Sequence, residues 1–166
     1  YEEMLSWVLF YVSIFRTRKL PAVDVVDPGG LVRSQVIESE GAVLRLTLNG
    51  AENPRTLAGH FMARSFGSSI QHLALATDDI VATASRMAEL GFVPLEVPAN
   101  YYDDLEACFG LDEALMARLQ RHRILYDRDE AGEYLQFYTA SYGEGFFFEI
   151  VQRRGGYGGY GAANAP

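Results

Sequence analysis

Met4, Trp7, Val8, Tyr11 and Phe15 recur at the three- and four-residue spacing of a helix, and Leu5, Leu9 and Phe10 make the segment apolar almost all round. The pattern predicts a buried helix over 2–15. Asp27-Pro28-Gly29-Gly30 signals a turn, after which the segments 31–38 and 42–48 read as strands joined at Glu40-Gly41, a hairpin. There is room for one poorly patterned strand between Pro21 and Val26. A polar loop with Gly50 and Pro54 leads to a short helical stretch over 57–64.

The run 70–76 is strand-like and flanked by Gly67 and Asp78. A helix follows, capped by Asp78 or Asp79, carrying Ile80, Ala84 and Met87 and ending at Gly91. A strand over 92–97 is stopped by Pro98, and Asp112 caps a further helix with Leu115, Met116 and Leu119. Strands over 124–126, 134–139 and 146–152 complete the series, the first two separated by a turn at 127–132. The second half thus reads βαβ with inserted helices and then βββ, and the first half reads αββ.

One strand before Tyr1 would give both halves the same βαβββ order. The expected architecture is α+β: two such modules, 1–66 and 67–152, each curving a sheet around a cavity, with the first strand of module one missing. Tyr1 stands almost inside a helix, which reads as a fragment of a longer chain. Residues 153–166 are rich in Gly, Tyr and Ala, and their composition predicts a mobile tail.

A chain of 166 residues with 49% hydrophobic and 22% charged residues has the composition of a soluble globular protein with one core or two small ones. A net charge of -8 and a pI near 4.8 repel phosphate backbones and anionic lipid, so neither nucleic acid nor membrane is an expected partner. The apolar N-terminal stretch follows Glu2 and Glu3 rather than lysines and is too short to span a bilayer. Cys108 is the single cysteine, which favours a reducing compartment, most simply the cytoplasm.

Alternation along the strands puts Ile70, His72, Ala74 and Ala76 on one face, and Phe147, Glu149 and Val151 on one face of the last strand. Glu149 is the one ionisable group in a strongly apolar run, and a carboxylate there must meet a cation or be protonated. The bland reading makes His72 a hydrogen-bonded core histidine and Glu149 a strand-edge carboxylate paired with Arg153 or Arg154. The alternative is metal binding, since two histidines and a carboxylate form the facial set that leaves open positions on Fe(II). His60 on a short helix and His122 at a helix end read as structural. Tyr134, Gln136 and Tyr138 alternate in the penultimate strand; with Phe147 they offer one amide and several rings, suited to a small oxygenated or aromatic organic acid.

Gln71-His72-Leu73-Ala74-Leu75, Asp78-Asp79-Ile80, Leu125-Tyr126-Asp127, Gln136-Phe137-Tyr138-Thr139 and Phe147-Phe148-Glu149-Ile150-Val151-Gln152-Arg153 together resemble the C-terminal half of 4-hydroxyphenylpyruvate dioxygenase, a vicinal oxygen chelate fold enzyme. The resemblance runs over nearly the whole chain. It implies that His72 and Glu149 are the second and third ligands of a divalent metal, Fe(II) in that family, with Mg, Mn, Co or Zn as alternatives. The first histidine would precede Tyr1. It also implies substrate-binding positions at Ser34, Asn49, Gln71, Gln136, Tyr138 and Phe147, and a homo-oligomer.

Two departures stand out. Asn49-Gly50-Ala51 replaces the family's Asn-Glu-Pro, and Ala165 stands where the family's C-terminal gate ends in an aromatic ring. Asn100-Tyr101-Tyr102-Asp103-Asp104-Leu105 and the Gly/Tyr-rich tail look more like the dioxygenase-like C-terminal domain fused to bacterial 3-dehydroshikimate dehydratases. In those fusions a separate upstream barrel domain performs the dehydration to protocatechuate. The expected function is therefore a metal-binding, dioxygenase-like domain of such a fusion. The alternatives are a stand-alone Fe(II) dioxygenase for an aromatic 2-oxo acid such as 4-hydroxyphenylpyruvate, and a non-catalytic binding or assembly module.

Overall fold

The computed structural model describes residues 2–161 and 164 and divides the chain into two compact units, Tyr1–Ser69 and Ile70–Pro166. In the first unit, helix α1 (Glu2–Ile14) is followed by strands β1 (Thr17–Lys19), β2 (Val23–Asp27), β3 (Gly30–Ser39) and β4 (Arg45–Ala51), and by helix α2 (Leu57–Arg64). β3 is central: β1 and β2 lie antiparallel along one of its edges and β4 along the other. The poorly patterned strand between Pro21 and Val26 is thus real, as β2, and a short break over 20–22 separates it from β1. Pro21, which has no amide hydrogen to give a ladder, falls in the break.

The turn between β2 and β3 is built around Asp27. Its carboxylate accepts from the Gly29 amide at 2.7 Å and from the Leu57 amide at 2.9 Å, so one side chain ties the hairpin to α2. A Cβ at Gly29 would lie 2.2 Å from the Arg55 carbonyl oxygen, and only glycine fits there. α1 departs from the all-round burial its composition predicts: only Met4 and Val8 are buried, while Leu9 is 68% and Ile14 61% exposed. A single sheet covers one stripe of a helix and leaves the flanks open.

The second unit runs β5 (His72–Ala76), α3 (Ile80–Glu89), α4 (Ala99–Phe109), α5 (Glu113–His122), β6 (Leu125–Arg128), β7 (Gly132–Tyr138) and β8 (Phe147–Gly155). Its sheet has the order β5-β8-β7-β6, with β5 parallel to β8 and the other pairs antiparallel. Asp79 caps α3 by accepting from the Ala82 amide at 2.9 Å, and Asp112 caps α5 through the Leu115 amide at 3.0 Å, as expected. Gln152 on β8 accepts from the Ile80 amide at 3.2 Å and donates to the Asp78 carbonyl, which pins the start of α3 to the sheet.

Three expectations change. The strand over 92–97 shrinks to one bridge, Pro94 with Thr139, because prolines at 94 and 98 remove two ladder donors. The residues beyond Pro98 instead form α4, which buries Tyr102 and Leu105 and ends at Gly110 with φ 58°. β8 continues to Gly155, and the segment after it is held: Tyr157 is buried, its ring stacks on Tyr134 at 5.2 Å, and its hydroxyl donates to Asp127. Ala165 lies outside the described residues.

The sheet of the second unit has two faces of different character. One carries Tyr126, Leu135, Phe137 and Ile150 and forms the core with Ile80, Ala84, Tyr102, Leu105 and Leu119 of the helices. The other carries Leu125, Tyr134, Tyr138, Phe147 and Val151, with Gln136 and Glu149 among them. The first unit repeats the order helix, then antiparallel strands. Among the described residues no strand lies on the outer edge of β4, the place that β5 takes beside β8.

Candidate functional site

The parallel pairing of β5 and β8 sets His72 opposite Phe147 and Ala74 opposite Glu149, so His72 and Glu149 share the helix-free face one step apart. His72 Nε2 lies 3.6 Å from Glu149 Oε2. The His72 ring lies flat on Phe147, with centroids 4.9 Å apart and planes within 8°, and Tyr138 meets Phe147 edge-on at 5.6 Å. Glu149 is only 5% exposed. Its Oε1 accepts from the Tyr134 hydroxyl at 3.3 Å.

The electrostatics follow from burial. Desolvation pushes Glu149 up to about 7, against the opposing influence of the Tyr134 hydrogen bond, the Arg153 charge and the Tyr138 hydroxyl. The same effect holds His72 below the ordinary imidazole value. Both groups are driven toward neutrality, and His72 Nδ1 is buried with no hydrogen-bond partner. A divalent cation would reverse the preference of the carboxylate. His72 Nε2 and Glu149 Oε2, 3.6 Å apart, are close enough for one ion to reach both. Among the described residues no group of three histidines, cysteines or carboxylates gathers at one point, so this face supplies two protein donors.

Of the other sequence-derived positions, Gln136, Tyr138 and Phe147 stand on the same face. Gln136 is fully buried; its amide nitrogen donates to the Gly161 carbonyl at 3.5 Å and its Oε1 has no partner. The Tyr138 hydroxyl donates to the Asn164 carbonyl at 3.4 Å. Gln71 precedes β5, and its carbonyl accepts from the Phe147 amide at 3.0 Å. Ser34 and Asn49 belong to the first unit, where they oppose each other across β3 and β4 and the Ser34 hydroxyl donates to Asn49 Oδ1 at 2.8 Å. His60 is exposed on α2, and His122 Nε2 sits 3.4 Å from the Ser85 hydroxyl, away from the His72 face.

The sequence reading took Tyr134 as a lining ring and missed its hydroxyl contact with Glu149. Alternation gives the face of Tyr134 within β7 and of Glu149 within β8, but their approach depends on the β7–β8 register. The charge of Arg153 acts on Glu149, while its guanidinium lies 4.6 Å from the Tyr134 ring centre and donates to the Tyr157 and Gly159 carbonyls at 3.2 and 2.6 Å.

The family model of the glyoxalase/bleomycin resistance protein/dioxygenase superfamily matches residues 4–137. A 3-dehydroshikimate dehydratase of Pseudomonas putida is 44% identical over 98% of the chain, which covers 26% of that protein. A 4-hydroxyphenylpyruvate dioxygenase of Legionella pneumophila is 28% identical over 98% of the chain, which covers 47% of it. Among solved structures, a fusion of a xylose isomerase-like TIM barrel with 4-hydroxyphenylpyruvate dioxygenase superposes with a TM-score of 0.79 at 44% identity, covering 99% of this chain and 26% of that one. The chain therefore spans about a quarter of the dehydratase and the fusion, and just under half of the dioxygenase.

Proposed function

The chain belongs to the glyoxalase/bleomycin resistance protein/dioxygenase superfamily, and from that premise we propose that it is the metal-binding, 4-hydroxyphenylpyruvate dioxygenase-like part of a bacterial 3-dehydroshikimate dehydratase fusion. In this reading a separate barrel domain of the same polypeptide converts 3-dehydroshikimate to protocatechuate. The observation that carries metal binding is the His72–Glu149 pair, 3.6 Å apart on a face it shares with Phe147, Tyr138 and the buried Gln136. The 44% identity over 98% of the chain supports the fusion.

His72 and Glu149 act as two of three protein ligands. The group they would hold, Fe(II) or another divalent ion, supplies Lewis acidity toward a chelating organic acid. Around it the chain's own residues orient the ligand. Gln136 Oε1, buried and unpartnered, accepts a hydrogen bond from the bound acid, the Tyr138 hydroxyl supplies a second polar contact, and Phe147 fixes the plane of the His72 ring.

The test is made on the full-length polypeptide. Turnover of 3-dehydroshikimate is followed by protocatechuate absorbance, and Co(II), Mn(II) and anaerobic Fe(II) are titrated into wild type and His72→Ala. Protocatechuate formation together with metal binding that His72→Ala abolishes is the expected result. Absence of dehydratase turnover removes the fusion reading, and metal binding indifferent to His72 removes the centre.

Similarity over 98% of the chain to a 4-hydroxyphenylpyruvate dioxygenase favours one other reading, an Fe(II) dioxygenase for an aromatic 2-oxo acid. Oxygen uptake by the iron-reconstituted protein over a panel of 2-oxo acids separates the two. Substrate-dependent uptake belongs to the dioxygenase alone.

A further inference from the structure

The two oxygens of Glu149 have different neighbours. Oε2 faces His72 Nε2 at 3.6 Å, while Oε1 accepts from the Tyr134 hydroxyl at 3.3 Å. The ring that carries this hydroxyl is fixed independently of Glu149. It stacks on Tyr157 with centroids 5.2 Å apart and planes within 18°, and the Arg153 guanidinium lies 4.6 Å from its centre. The backbone at Gly161 packs so close that a Cβ there would come within 2.5 Å of Tyr134 Cε1. A hydroxyl on so confined a ring is a preset donor aimed at one carboxylate oxygen. Tyr138 also acts on Glu149, but its hydroxyl is shared with the Asn164 carbonyl at 3.4 Å.

We propose that Tyr134 is a positioning residue for Glu149, engaging Oε1 so that Oε2 alone is presented beside His72 and the carboxylate binds a metal through one oxygen. This rests on the reading of His72 and Glu149 as metal ligands. A hydrogen-bonded outer partner of a ligating carboxylate fixes its orientation and raises affinity. Here it also keeps the second carboxylate oxygen off the ion and leaves a coordination position for a chelating substrate.

The test uses the full-length polypeptide, Co(II) as probe and the variant Tyr134→Phe, which removes the hydroxyl and keeps the ring with its stacking partners. The variant is expected to bind Co(II) about 10- to 100-fold more weakly. Its visible Co(II) absorption should also weaken, because a carboxylate freed to bind through both oxygens raises the coordination number; a merely structural tyrosine would not change that spectrum. If wild type binds Co(II) and Tyr134→Phe matches it in affinity and spectrum, the positioning role is overturned and the metal centre stands. If wild type binds no Co(II), both fall. Should Tyr134→Phe fail to fold, 3-fluorotyrosine at position 134 keeps ring and hydroxyl while making the hydroxyl more acidic. An altered Co(II) affinity and spectrum then supports the role, and unchanged values overturn it.

Discussion

Replacing Glu149 by glutamine in the metal-free protein tests the electrostatic reading of the site directly. In the folded state burial raises the carboxyl from 4.5 to about 7, a difference worth about 3 kcal/mol at roughly 1.4 kcal/mol per tenfold change in proton affinity. Between those two pH values the unfolded chain has released the proton and the folded chain still holds it. The folded state binds more protons, so stability falls as pH rises. This contribution is fully present below pH 4.5 and lost as pH climbs through about 7. Glutamine carries no such penalty at any pH. Glu149→Gln and wild type should therefore be nearly equal at pH 4.5, and the variant more stable by about 3 kcal/mol at pH 8. The assay is urea unfolding in the presence of a chelator at several pH values, read as the difference between the two proteins so that other titrations cancel. A difference that is flat with pH, or that favours wild type at pH 8, would refute the reasoning.

Three further outcomes are expected. His72→Ala removes a ring stacked on Phe147 at 4.9 Å and should cost the metal-free protein about 1 kcal/mol, yet abolish the Co(II)-dependent stabilisation expected of wild type, about 2.7 kcal/mol at 100-fold excess over Kd and read as a rise in melting temperature. Gly132→Ala would set a Cβ 2.1 Å from the Arg154 carbonyl oxygen and 2.7 Å from the Tyr157 amide nitrogen, so the β7–β8 pair must part at its end; chemical denaturation should show a loss of at least about 2 kcal/mol, while Gly158→Ala, with open space around it, is neutral. Tyr157→Phe deletes the hydrogen bond to Asp127 and should cost about 1–2 kcal/mol, with amide exchange accelerating over residues 157–161 while β7 stays protected.

The sequence made the faces of the individual strands legible, because alternation needs no partner: His72 with the alanines of β5, and Glu149 with Phe147 and Val151 of β8, were assigned correctly from period two alone. That the two side chains meet was not readable this way, since it depends on β5 lying parallel to β8 at one register. α4 escaped because Asp103, Asp104 and Glu106 interrupt its apolar stripe and the Tyr101-Tyr102 doublet reads equally well as strand. The segment after Gly155 was read by composition as mobile, whereas specific partners hold it: Asp127 for the Tyr157 hydroxyl, Asp129 for the Gly158 amide at 3.0 Å, and Arg153 for two carbonyls. Composition describes the average segment, and these contacts belong to single residues.

The neutral forms of His72 and Glu149 make a poor structural pair. Burial drives both toward neutrality despite the Arg153 charge, Nδ1 of the imidazole is left without a partner, and Glu149 receives a hydroxyl hydrogen bond at 3.3 Å. Two well-packed apolar residues at these positions would serve the fold better, since replacing buried ionisable groups by apolar ones of similar volume is often neutral or stabilising. Phe147, Val151 and Leu125 on the same face show what packing alone selects there. An arrangement that lowers stability near neutral pH and surrounds its carboxylate with preset donors is what a site kept for a ligand produces. A divalent ion held by His72 and Glu149 would offset the cost of the buried carboxylate, and for that reason the pH profile of Glu149→Gln should reverse when Co(II) is present: the variant, more stable without metal at pH 8, becomes the less stable protein once wild type is saturated.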